Sequence, residues 1–194
     1  MRDSTLRLLA DMQVNEATDC LIYRKLAKRT EGPNKAILQQ MSEDEARHCA
    51  VWGKYTGKHA MPARLKVWWY SILSRVFGLT FVINLLESGE NIAGRHYAGL
   101  IEDVPEAKGI MEEEERHERE LADMVVAILH GAGFACVDVV HAGAEALAAI
   151  DSRAASPERA YQLLVLDVMM PGMDGFDLLA RVRERPACAR VPAV

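Results

Sequence analysis

A chain of 194 residues, half of them hydrophobic, is long enough for one or two domains with a real core. Its net charge of −5, with no clustered run of Lys and Arg, argues against nucleic acid as a partner. Cys20, Cys49, Cys136 and Cys188 stand far apart and make no CxxC pair, which excludes a zinc knuckle or a rubredoxin-type iron site and leaves reduced thiols in a cytoplasmic protein as the expectation.

No signal peptide is read at the N-terminus, because Arg2, Asp3 and Arg7 interrupt it. Leu6, Leu9 and Met12, then Leu21, Ile22 and Leu26, recur at helical spacing and predict a first helix. Gly32-Pro33 breaks the chain, and Pro33 suits the first turn of a second helix that ends near Gly57. A third helix is predicted over 67–103, bent at Gly78. Its apolar part, 67–86, approaches the length of a bilayer span, but Arg75 lies within it and Glu87 and Glu90 follow. The expectation is therefore no membrane span; the face around Trp68, Trp69, Phe77 and Phe81 buries in the protein and forms a homodimer. Pro105 opens a fourth helix that runs toward Leu129 and stops at Gly131 or Gly133. Four long helices predict an antiparallel bundle.

The composition changes near residue 124: all seven lysines precede it, and six arginines and no lysine follow. Two parts result, 1–124 and 125–194. The second reads as strand 134–140, helix 142–150, strand 163–170, helix 175–184 and the start of another strand, the order of an open parallel sheet.

The chemistry concentrates in the first part. Residues three apart share a helix face, so Glu45-x-x-His48 and Glu114-x-x-His117 each aim a carboxylate and an imidazole the same way. Two such helices, with one Glu from each of the other two, are the ligand pattern of a two-metal carboxylate bundle. Glu16 is available on the first helix, and Glu87 and Glu90 on the third. Tyr23 and Tyr97 each follow a candidate Glu by seven residues, about two turns, and are expected to hydrogen-bond to carboxylates beside the metals. Glutamates buried together need cations, and oxygen with imidazole donors suits iron. Glu112, Glu113, Glu115, Glu118, Asp44, Glu43 and Glu120 read as solvated surface, and His59, His96, His130 and His141 as non-ligands.

With Glu16, Glu45, His48, Glu87, Glu90, Glu114 and His117 in these places, residues 10–124 resemble a rubrerythrin-type ferritin-like domain, of the variety found ahead of transporter domains in membrane-bound ferritins. The resemblance implies two iron ions, peroxide or oxygen as oxidant, and possible ferroxidase activity; a di-iron hydroxylase shares the same ligand pattern. Lacking a rubredoxin module, the chain needs an external electron donor. The stretch LLVLDVMMPGMDGFDLL resembles a response-regulator receiver domain, which makes Asp167 the phospho-acceptor of a phosphorelay alternative. The fold class expected is mainly α: a ferritin-like four-helix bundle followed by a partial α/β flavodoxin-like receiver segment. The fourth bundle helix stands where receivers carry the strand ending in two acidic residues, so Mg2+ is not expected at Asp167. A metal-free structural bundle is the remaining alternative.

Overall fold

Helix α1 (Asp3–Ala27) exists because its apolar residues gather on one face: Leu9, Met12, Ile22, Tyr23 and Leu26 are all buried. In the computed structural model the described residues are 3–76, 78–79, 81–83, 85–86, 100–101, 103–154, 160–166 and 173–193. Helix α2 (Pro33–Thr56) begins with Pro33 in its first turn, where the missing N–H costs nothing. It ends at Gly57, which adopts φ +65° and returns its N–H to the Gly53 carbonyl at 3.0 Å. α1 and α2 pack antiparallel: the Gln13 amide bonds to Thr56 and Lys58, Trp52 to Glu16, and Ser42 to Cys20.

Helix α3 (Arg64–Val76) runs parallel to α1, with Ala63 against Thr18, Lys66 against Asp19 and Ser74 against Arg29. The helix expected over 67–103 is interrupted at the expected bend: α3 stops at Val76, and Gly78 takes φ +88°, a left-handed conformation that a helix cannot contain. Residues 79, 81–83 and 85–86 beyond it are helical again, whereas 100, 101 and 103 are turn, so the helix does not reach 103. Trp68 and Trp69 are also not buried: they are 53% and 51% exposed. Val67 is the buried residue of this helix, because it lies on the side facing the protein. Phe77 lies outside the described residues. Helix α4 (Ala107–Gly131) packs antiparallel to α2, with Tyr55 bonded to Glu106 at one end and Asp44 to His117 at the other. Leu9, Met12 and Trp52 meet Leu100, Val104, Ala107 and Ile110 in a shared core. Each large apolar side chain buried there contributes about 1.5–3 kcal/mol.

The chain divides into two compact units, Met1–Ile83 with Ala93–Val125 and Asn84–Ile92 with Val126–Val194, so that one boundary falls within α4. In the second unit, helices α5 (Gly143–Ala154) and α6 (Gly175–Arg183) surround a small core of Ile150, Leu164, Leu178, Val182 and Cys188. Asp174 caps α6 by accepting a 2.8 Å hydrogen bond from the Asp177 N–H. The alternating order of strand and helix is only partly realised. Among the described residues no regular strand forms; one parallel bridge pairs Leu164 with Ala193, supported by the Leu164 N–H to Pro192 carbonyl bond at 2.9 Å. Residues 134–140 form neither a helix nor a ladder. The physical reason lies in α4: residues 107–131 spend their backbone hydrogen bonds within a helix, so they supply no strand for a neighbour to pair with. The described residues are thus mainly helical, and this segment is consistent with a partial flavodoxin-like receiver.

Candidate metal centre

Three helices of the first unit bring acidic and imidazole groups into one buried cluster. Glu16 comes from α1, Glu45 and His48 from α2, and Glu114 and His117 from α4. Glu16, Glu45, His48 and Glu114 each offer a ligand atom, and these atoms lie within 4.8 Å of one another. Glu45 and His48 are 1% exposed and His117 is 0%.

The two carboxylates at the centre share a pattern. Glu45 places Oε2 3.5 Å from His48 Nδ1 and Oε1 3.4 Å from His117 Nδ1. Glu114 places Oε1 2.9 Å from His48 Nδ1 and Oε2 3.6 Å from His117 Nδ1. Each carboxylate therefore addresses one oxygen to each imidazole, and the two rings sit 6.1 Å apart. None of these approaches is aligned as a hydrogen bond: both Glu45 oxygens, Glu114 Oε1 and the Nδ1 atoms of His48 and His117 are buried without a hydrogen-bond partner. Unsatisfied buried polar atoms are costly and rare, and five in one cluster make these residues a candidate ligand set.

The far side of each ring is held. His48 Nε2 lies 2.6 Å from Glu113 Oε2, and His117 Nε2 lies 3.0 Å from Asp44 Oδ2. An outer carboxylate on Nε2 fixes the tautomer that leaves Nδ1 as the donor atom. Arg47 joins the two outer acids, reaching Asp44 at 2.8 Å and Glu113 at 2.7 Å, and Arg116 adds a 2.6 Å contact to Asp44.

The electrostatics follow from crowding. Burial, then the Glu45 and Glu114 carboxylates, raise Glu16 well above the usual carboxylate range. Burial opposes the charged form of both imidazoles, but Glu114 and Glu45 outweigh it and push His48 up to about 10 and His117 up to about 11. Burial would also raise Glu45, yet the facing imidazoles hold it below its ordinary value. Asp44 is lowered to about 2: the cost of its burial is outweighed by His117, Arg47 and Gln40.

Of the residues expected here, Glu16, Glu45, His48, Glu114 and His117 come together. Tyr23 is fully buried on α1. Glu87, Glu90, Tyr97 and His96 lie outside the described residues, as does Asp167. His59, His130 and His141 are exposed. Two readings are corrected: Asp44 and Glu113 are not solvated surface but the carboxylates that hold the imidazoles. Asp44 is 1% exposed because α4 covers it. Trp52 was missed altogether; its indole N–H donates to Glu16 Oε1 at 3.1 Å.

Comparison with known proteins concerns the C-terminal part. Residues 115–194 match the response regulator receiver domain family. The Regulatory protein VanRc of Enterococcus gallinarum is 40% identical over 67 residues, 34% of this chain and 26% of that protein. The chain thus spans about a quarter of the length of that relative. No ferritin-like or rubrerythrin family is matched, and no solved structure matches. The receiver-family match begins inside α4 and takes in His117.

Proposed function

We propose that the helical part of the chain is a two-iron oxidoreductase centre acting on peroxide or oxygen. Five buried atoms without hydrogen-bond partners, arranged as two carboxylates facing two imidazole Nδ1 atoms, carry this reading. Glu16 and His48 would hold one metal, His117 the other, and Glu45 and Glu114 would address both; Glu87 and Glu90 would complete the set. Iron held there would supply the redox chemistry, between its ferrous and ferric states. The protein's part is to aim the Nδ1 atoms from Asp44 and Glu113, to orient Glu16 through Trp52, and to exclude water. An external donor would have to return the electrons; ferrous iron in that role would make the same site a ferroxidase, and a hydroxylase would use the same ligands. The test is bound iron per chain with an absorption spectrum after peroxide addition. About two irons and a spectral change lost in Glu114→Ala support the reading. No iron uptake, or equal uptake in Glu114→Ala, overturns it.

A second reading is favoured by a different observation, the receiver-family match of 115–194 and its VanRc relative, and family comparison supports this reading where it offers nothing for the first. Under it the chain is a phosphorelay protein, with Asp167 accepting a phosphoryl group from a kinase. Acetyl phosphate labelling of the wild type that Asp167→Ala lacks would establish it. We expect no labelling in either, because helix α4 occupies the residues where a receiver would place its opening strand and acidic pair.

A further inference from the structure

Helix α3 carries apolar residues on two sides. Val67 faces inward and is buried. On the other side Leu65, Trp68, Trp69 and Val76 are 69%, 53%, 51% and 66% exposed, with half-buried Ile72 between them. At about 100° per residue these five fall within an arc of about 100°, roughly opposite Val67. The two indoles meet edge to face at 5.5 Å, so they form one apolar ridge. Scattered surface apolar residues are ordinary, but a continuous stripe with two tryptophans marks an interaction surface.

Charge indicates what covers it. The same helical projection puts the exposed Arg64 and Arg75 along one border of the stripe and Lys66, which also pairs with Asp19 at 3.2 Å, along the other. Residues 46–86 contain six Lys or Arg and no Asp or Glu, within a chain whose net charge is −5. The acidic residues are therefore concentrated elsewhere, and this face is locally cationic. A symmetric contact with a second copy would bring like charges together across the axis. An apolar ridge containing Trp, bordered by cations whose stems can lie along it, matches a helix lying in the plane of an anionic lipid surface.

We propose that α3 is an interfacial anchor by which this protein binds anionic phospholipid. The helix lies on the membrane and does not cross it: among the described residues no helix is long and apolar enough to span one. Trp68 and Trp69 enter the boundary between headgroups and acyl chains, and Arg64 and Arg75 meet the lipid phosphates.

Sedimentation of the full chain with vesicles tests this, using phosphatidylcholine alone or mixed with phosphatidylglycerol. The wild type is expected to sediment with the mixed vesicles and far less with the neutral ones. W68Q/W69Q should lower the partition at least about tenfold, and R64E/R75E at least about thirtyfold on mixed vesicles with little change on neutral ones. All four positions are exposed, and unchanged far-UV circular dichroism would show that each variant is folded. No binding by the wild type, or equal binding by the variants, overturns the proposal. So does light scattering that finds a dimer dispersed by W68Q/W69Q without vesicle binding, which assigns the face to a second copy. Binding to polyglutamate but not to vesicles assigns it to an acidic protein, and overturns it too.

Discussion

Replacing Glu45 by Gln tests the centre most directly. The amide keeps the volume of the carboxylate, so no cavity opens in a site that is 1% exposed. What changes is the charge facing both Nδ1 atoms at 3.5 and 3.4 Å. A metal that binds only the folded protein, at a concentration of about 100 times its dissociation constant, stabilises it by about 2.7 kcal/mol. For a chain of this length that raises the unfolding midpoint by about 5–10 °C. Loss of a partner outside the ligand set weakens metal binding about 10- to 100-fold, and a carboxylate inside the set should reach at least the upper figure. At the same metal concentration the stabilisation then falls to about 0.4 kcal/mol, a shift of about 1 °C. The assay is thermal unfolding by circular dichroism under anaerobic conditions, with and without ferrous iron. A metal-dependent shift in Glu45→Gln as large as that of the wild type would refute the assignment.

Asp44→Asn removes the acceptor on His117 Nε2 and Glu113→Gln the one on His48 Nε2. Each should lower metal affinity about 10- to 100-fold by titration; unchanged affinity would return both acids to the surface role. The pH dependence has a definite sign. His48 and His117, raised to about 10 and 11 without metal, hold their protons at neutral pH and must release them to coordinate. Uptake should therefore release about two protons or more per chain and tighten as pH rises toward those values; a pH-stat that registers no acid release during loading contradicts this. In the second unit, Leu178→Ala removes a side chain that is 1% exposed and should cost about 2–5 kcal/mol. Hydrogen exchange across α5 and α6 reads it, and unchanged protection would mean that this small core does not hold the segment together.

The legible features were those whose cause is local. Pro33 and Gly57 bound α2 because one lacks an N–H and the other accepts a left-handed turn. The i, i+3 spacing placed Glu45 with His48 and Glu114 with His117 because helical geometry admits nothing else. Asp44 and Glu113 escaped because each serves the opposite helix, and a run such as MEEEERHERE suggests solvent before it suggests a partner. A signal was nonetheless present: Asp44-Glu45-x-Arg47-His48 and Glu113-Glu114-x-Arg116-His117 repeat the same acid-Glu-x-Arg-His order. Trp52 follows His48 by four residues, one turn along the same face. Residues 134–140 have strand composition, but a strand also needs a neighbour, and that neighbour's place is helical here.

Charge balance alone does not separate a metal centre from a structural bundle. With all five inner residues deprotonated, Glu16, Glu45 and Glu114 give −3. Protons on Glu16, His48 and His117, the three groups whose surroundings raise them, bring the sum to 0. The metal-free cluster can therefore be neutral and the fold can form around it. What protons do not provide is direction. A proton on each Nδ1 would satisfy these atoms if it lay in line with a carboxylate oxygen, yet both nitrogens and both Glu45 oxygens remain without hydrogen bonds at separations of 2.9 to 3.6 Å. A structural network relaxes into aligned pairs, because a buried half-satisfied one is less stable than an apolar core. Two outer carboxylates and two arginines instead hold the rings with Nδ1 turned toward a common centre. Orientation maintained against hydrogen-bond satisfaction is what a coordination site requires, and substituting the outer acids therefore tests the difference between the two readings.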